Sequence, residues 1–153
     1  MSPRLFYRTL AFAEAVTWTL LIIAMVLKYA FNAGGLPVQI AGSIHGFVFI
    51  SYALTAGLVG VNQHWPKRLT TLAVATAIIP YATIPFDLVM DRNGMLDGAW
   101  RRTATADPRD HTPVSRLLRW MLRRPAVLGG VFVLAVVVIM STLLVIGPPG
   151  GRS

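Results

Sequence analysis

Apolar residues gather into four long runs, Leu10 to Phe31, Val38 to Val61, Leu69 to Met90 and Ala126 to Ile146, with few charges inside them. A helix needs about 20 mostly apolar residues to cross the ~30 Å hydrocarbon core of a bilayer, and each run is close to that. The runs lack the period-two alternation of barrel strands, and a single lipid-exposed segment must satisfy its backbone internally. The pattern therefore predicts an all-α polytopic membrane bundle: a three-helix core over 1–92, a basic loop over 93–125 and a fourth transmembrane helix over 126–147. The tail 148–153, rich in Pro and Gly, is expected to be disordered.

The connections refine this picture. Asn32 to Pro37 is a tight Gly/Pro turn, so the first two helices should be antiparallel neighbours. Asn62 to Arg68 is also short, with Trp65 suited to the interfacial belt and Lys67 and Arg68 to headgroups. In the third connection, helical spacing from Val114 to Arg124 puts Val114, Leu117, Leu118, Met121 and Leu122 on one face. Arg116, Arg119 and Arg123 fall opposite, with Trp120 at the boundary, as in a helix lying in the headgroup plane.

Composition narrows the class. The chain has 153 residues, 55% of them hydrophobic and 13% charged, which leaves no room for a separate soluble domain. It carries 14 Lys+Arg against 6 Asp+Glu. Eight of these arginines lie between the third and fourth runs, so anionic lipid, held by Arg116, Arg119, Arg123 and Arg124, is the expected partner rather than nucleic acid. With no cysteine, disulfides and thiolate metal sites are excluded. The first run, which holds Glu14 and Trp18, is expected to be a retained helix and not a cleaved leader.

Four crossings would put loops one and three on one side, with Lys28 and eight Arg against five basic residues opposite. The positive-inside bias then makes the long loop cytoplasmic and both termini external. The alternative is a re-entrant third segment bent at Pro80 and Pro85, which would gather twelve basic residues on one side.

Ionisable groups in membrane segments are costly and therefore candidates for function. In the four-crossing arrangement Lys28 and Asp87 end on the same side and converge with His45, while Glu14 sits near the opposite face and Tyr52 shares the face of His45. These five form the candidate intramembrane polar cluster. For each the plainer reading is structural: a snorkelling lysine, an interhelical hydrogen bond, a protonated carboxyl. Gly42, Gly46, Ala53 and Gly57 present a small-residue face suited to close helix packing. Asp87 and Asp91 at i and i+4 resemble half of a magnesium–diphosphate motif, but the second half and the larger bundle are lacking. Haem would need two deep histidines, and His64 and His111 lie in loops. No catalytic set, metal set or cofactor motif is legible.

Several of these residues together carry a resemblance. Glu14-Ala-x-x-Trp18, Leu27-Lys28-Tyr29, Gly42-Ser-Ile-His45-Gly46-Phe-Val-Phe49 with Tyr52, and Ile79-Pro80-Tyr81 through Phe86-Asp87 occur in that order. This resembles the small bacterial integral membrane proteins grouped as domain-of-unknown-function family 3817, over about Arg8 to Arg92. The resemblance implies a three-helix unit and no established activity. Ala15 stands where members often have Gly, and residues 93–153 extend beyond the usual unit. The expected role is a non-enzymatic accessory or assembly subunit of a larger membrane complex, respiratory complexes among the candidates, in the bacterial inner membrane. The alternative is a small carrier or proton-coupled channel using Glu14, His45 and Asp87.

Overall fold

The computed structural model describes residues 1–147, and the tail expected to be disordered lies outside the described residues. Among the described residues there are six α-helices: α1 (Pro3–Ala30), α2 (Leu36–Asn62), α3 (Lys67–Thr76), α4 (Thr83–Arg92), α5 (Pro113–Leu122) and α6 (Pro125–Ile146). A short 3-10 turn, Pro108–His111, precedes α5. Helices α1, α2 and α6 are long and apolar enough to cross a membrane. The all-α membrane bundle is therefore as the sequence predicts.

The third apolar run corrects the expected topology, because it makes a helical hairpin and not a crossing. Helix α3 stops at Thr76, four residues before Pro80, whose ring would clash with the Thr76 carbonyl in a continued helix. Tyr81 then takes a left-handed φ of 65° and reverses the chain. Pro85 falls in the first turn of α4, where its missing N–H leaves no intrahelical bond unmade. Each arm has 10 residues, hence about 15 Å, half the thickness a span would need.

Non-helical backbone at membrane depth requires partners inside the protein, and α1 provides them. The Trp18 indole Nε1 donates to the Ala77 carbonyl at 3.0 Å, and the Tyr81 hydroxyl lies 3.2 Å from that of Thr19. Thr83 Oγ1 donates in turn to the Ala11 carbonyl at 3.0 Å. The core between α1, α2 and the hairpin holds Tyr7, Ala11, Tyr52, Ala56, Ala73 and Ala77, all fully buried. Its alanines let the backbones approach closely.

Because the hairpin returns to the side it left, the amino end of α1, the feet of α3 and α4, and α5 share one end of the molecule. Among the described residues Lys28 is the single basic side chain at the other end. Lys28 and Asp87 are therefore at opposite ends, and the expected pairing does not form; Lys28 instead sits 5.0 Å over the Tyr29 ring. The expected placement of the amino end opposite the long loop is overturned for the same reason.

Segment 93–112 packs across the feet of the bundle rather than hanging loose. Leu96 is fully buried, Trp65 Nε1 donates to the Met95 carbonyl at 2.8 Å, and Trp100 Nε1 donates to the Met1 carbonyl at 2.9 Å. Helix α5 forms where its apolar periodicity predicts. Helix α6 is attached lightly, with Val136 its one buried residue.

Candidate functional site

The polar residues of the hairpin unit form a column between α1, α2 and the two short arms. At its foot, Arg4 and Arg8 of α1 meet Asp87 and Asp91 of α4. Arg8 Nε donates to Asp87 Oδ2 at 2.9 Å, a second Arg8 nitrogen to Asp91 Oδ2 at 2.8 Å, and Arg4 reaches Asp91 at 2.7 Å. Asp87 is 1% exposed, so Arg8 neutralises a carboxylate withdrawn from water. Beside it, the Tyr7 and Tyr52 hydroxyls are 2.6 Å apart, and Tyr52 also donates to the Ala73 carbonyl at 3.1 Å. This ties α1, α2 and α3 at one point.

The top of the column lies under the hairpin tip. Glu14 is fully buried, and neither carboxyl oxygen has a hydrogen-bond partner among the described residues. His45 Nδ1 is 3.8 Å from Glu14 Oε2 and 3.1 Å from the Thr17 hydroxyl. The Thr17 hydroxyl also lies 3.0 Å from the Glu14 backbone carbonyl, within reach to donate to it. The imidazole is held 4.5 Å from the Trp18 ring, centroid to centroid, and Trp18 is the residue that fastens the hairpin tip. The chemistry available here is one carboxyl and one imidazole in a buried, packed interior, suited to sharing a proton.

Of the sequence-predicted cluster, the fold brings Glu14 and His45 together and places Tyr52 below them. Asp87 belongs to the arginine foot, and Lys28 lies at the far end. The small-residue face divides. An added Cβ at Gly42 would meet Leu21 of α1 at 3.9 Å, and one at Gly46 would meet Met140 of α6 at 3.6 Å. At Gly57 nothing lies within 4 Å, while at Gly60 the Thr70 hydroxyl of α3 lies at 2.6 Å. Gly60 is thus the position where the hairpin requires glycine.

A second polar assembly, outside the spans, was not foreseen. Asp110 is 1% exposed and receives the Thr105 amide at 2.8 Å and the Thr105 hydroxyl at 2.6 Å. His64 Nε2 is 3.0 Å from its other oxygen, and Arg119 reaches both the Asp110 carbonyl, at 2.5 Å, and its carboxylate, at 3.6 Å. The Thr105 hydrogen bonds lead in holding the Asp110 carboxyl down to about 2. Asp107 is held well below the usual carboxylate range by Arg109. Arg119, expected at headgroups, is 9% exposed and turned inward. The pairing of Arg4 and Arg8 with Asp87 and Asp91, also unforeseen, was signalled by matching spacings: two cations at i, i+4 on α1 and two carboxylates at i, i+4 on α4. Among the described residues no group of three or more His, Cys, Asp or Glu is placed to hold a metal ion.

Comparison with known proteins agrees with the resemblance read from the residues. Residues 5–92 match the profile of the family described as Domain of unknown function (DUF3817). A protein of Streptomyces coelicolor named as a membrane protein is 37% identical over 100 residues, 65% of this chain. The aligned stretch is only 11% of that longer protein's length. An uncharacterised membrane protein of Bacillus subtilis is 35% identical over 83 residues, 52% of this chain and 83% of its own length. No solved structure matches. The chain belongs to the DUF3817 family of membrane proteins.

Proposed function

We propose that this protein is a non-enzymatic accessory or assembly subunit of a larger complex in the bacterial inner membrane, with respiratory complexes the first to examine. The observation that carries this reading is the enclosure of its polar groups. Glu14, Tyr7, Tyr52 and Asp87 are closed within the chain's own helix contacts, at 0 to 1% exposure. Its relatives support the same reading: the unit makes up most of a small Bacillus protein and a small part of a large Streptomyces one. A module used both alone and as a segment of something larger suits an assembly role. The concentration of basic residues at one end would place that end in the cytoplasm.

Two measurements test this. Chemical crosslinking in native membranes, followed by purification and mass spectrometry, should return the same partner in near-stoichiometric amount. Cysteines at Gln63 and Ala104 should both be protected from an impermeant reagent added to intact cells, and labelling of either from outside overturns the orientation.

The second reading, a small proton-handling carrier using Glu14, His45 and Asp87, is favoured by one observation. A buried carboxyl with both oxygens unpartnered among the described residues, 3.8 Å from an imidazole nitrogen, is a costly arrangement to retain without use. Purified protein in vesicles distinguishes the two. Proton flux that disappears in His45→Phe while the fold persists would replace the subunit reading with the carrier.

A further inference from the structure

Helix α6 has 22 residues and is about 33 Å long, just enough to cover the ~30 Å hydrocarbon core, so its first residue, Pro125, lies at one boundary of that core. Arg123 and Arg124 alone separate it from the end of α5 at Leu122. The other end of α5 is held beside the end of α2. Arg119 faces Asp110, and Asp110 lies 3.0 Å from His64, two residues past Asn62. Since both of its ends meet the ends of spans, α5 lies along the membrane surface and not across it.

Three faces can be told apart on this helix. The inner one packs on the protein: Leu118 and Leu122 are each 5% exposed, and Ser115 donates to the Arg109 carbonyl at 2.9 Å. A second carries Arg116 and Arg123, both exposed, and Arg123 donates to the Arg102 carbonyl at 3.0 Å. The third is apolar and lies opposite the arginines. Its Val114 and Leu117 are 58% and 57% exposed, Met121 follows one turn on, and Trp120 stands at its edge.

The direction of the apolar strip is fixed by what it looks onto. Val114, Leu117 and Met121 share a groove with Leu54 of α2 and with Val131 and Ala135 of α6. Ala135 lies about 15 Å below the first residue of α6. The strip therefore faces along the spans towards the bilayer interior, and the arginine face turns away from it. At the edge the Arg124 guanidinium sits 4.7 Å over the Trp120 ring, a pair with an apolar body and a charged head, as headgroup level requires.

We propose that the partner of this third face is the bilayer itself. Val114, Leu117 and Met121 rest among the upper acyl chains, Trp120 and Arg124 stand at the headgroups, and Arg116 faces water. Helix α5 lies outside residues 5–92, which match the family, so this membrane contact is an addition to the shared unit and holds for either reading of its function. Because Arg119 of the same helix is turned to Asp110, the bilayer also steadies segment 93–112 over the foot of the bundle.

The native chain has no cysteine, so single nitroxide labels report on single positions. Full-length protein labelled at Val114→Cys, Leu117→Cys or Arg116→Cys is reconstituted into phosphatidylcholine–phosphatidylglycerol vesicles. Power saturation then compares collisions with oxygen, which concentrates in lipid, against collisions with a water-soluble nickel chelate. The ratio of oxygen to nickel collisions should be several-fold higher at positions 114 and 117 than at 116. Adding Leu117→Glu to the chain labelled at 114 should shift that label towards nickel, as the charge lifts the strip out of the acyl region. Equal nickel access at all three positions puts the strip in water and overturns the proposal. Shielding of 114 and 117 from both reagents overturns it as well, since protein then covers the strip, and spin–spin broadening in that case identifies a second copy of this chain.

Discussion

The hairpin unit and the α5–α6 extension solve the same problem in opposite ways. Inside lipid there is no hydrophobic drive between helices, so association rests on close packing and polar contacts. The hairpin unit uses both: alanines at the crossing, a tyrosine pair, an indole on a broken helix end and an arginine foot. The extension has almost none of these. Helix α6 touches α2 through Met140 at Gly46 and α1 through the Phe132 ring, 6.0 Å from that of Phe6, and leaves a groove between. Specificity of fold resides in the first region, and adaptability of surface in the second.

The largest effect should come from removing Arg8. Breaking a desolvated pair leaves its partner uncompensated, typically at a cost of ~3–5 kcal/mol. Arg8→Met should therefore lower the thermal midpoint in detergent sharply, and adding Asp87→Asn should restore part of the loss. Additive losses would mean that the two side chains do not interact, and the contrast between regions would fail at its strongest point.

A smaller effect separates two glycines of one helix. Gly60→Ala pushes a methyl against Thr70 and should cost ~1–3 kcal/mol, as overpacking does. Gly57→Ala has open space and should be close to neutral by the same measurement. Equal costs would erase the distinction between a packed and an open face.

Much of this architecture was legible in the chain, and the gaps have a common cause. Apolar run length found α1, α2 and α6, and apolar periodicity found α5. Length could not decide whether Leu69 to Met90 crosses, because hydropathy is the same for one span and for two half-depth arms. The break is set by Pro80 acting on the Thr76 carbonyl, and a hairpin is tolerable only because Trp18, far away in sequence, meets Ala77. Once that run turns back, the amino end and the second connection join the side of the long loop, and Asp87 moves from Lys28 to Arg8. Glu14 and His45 were singled out as costly residues, but their adjacency needed the crossing of α1 over α2. Asp110, His64 and Arg119 gave no signal because they are distant in sequence and lie in segments whose composition reads as solvated loop.

The smallest expected effect is a response to pH. Asp110 has a folded value of about 2, below its unfolded one, so its contribution is present above about pH 4 and fades as pH falls towards 2. The Asp110→Asn variant should show a shallower loss of stability over that window than the wild type. The same titration in Arg8→Met should leave this difference unchanged, since the Asp110 assembly and the column share no residue. Loss of the difference would show that the two regions are coupled after all.

The half-depth hairpin also gives the molecule a shape. Near the arginine-bearing surface five helices cut the plane, α1, α2, α3, α4 and α6, with α5 alongside them; near the opposite surface only α1, α2 and α6 remain. Each helix takes up about 80 Å² of plane at a diameter of about 10 Å. One leaflet must therefore yield about 160 Å² more than the other to the same molecule. In a planar bilayer that mismatch is stored as stress. The molecule is broader in the leaflet that holds the hairpin than in the other.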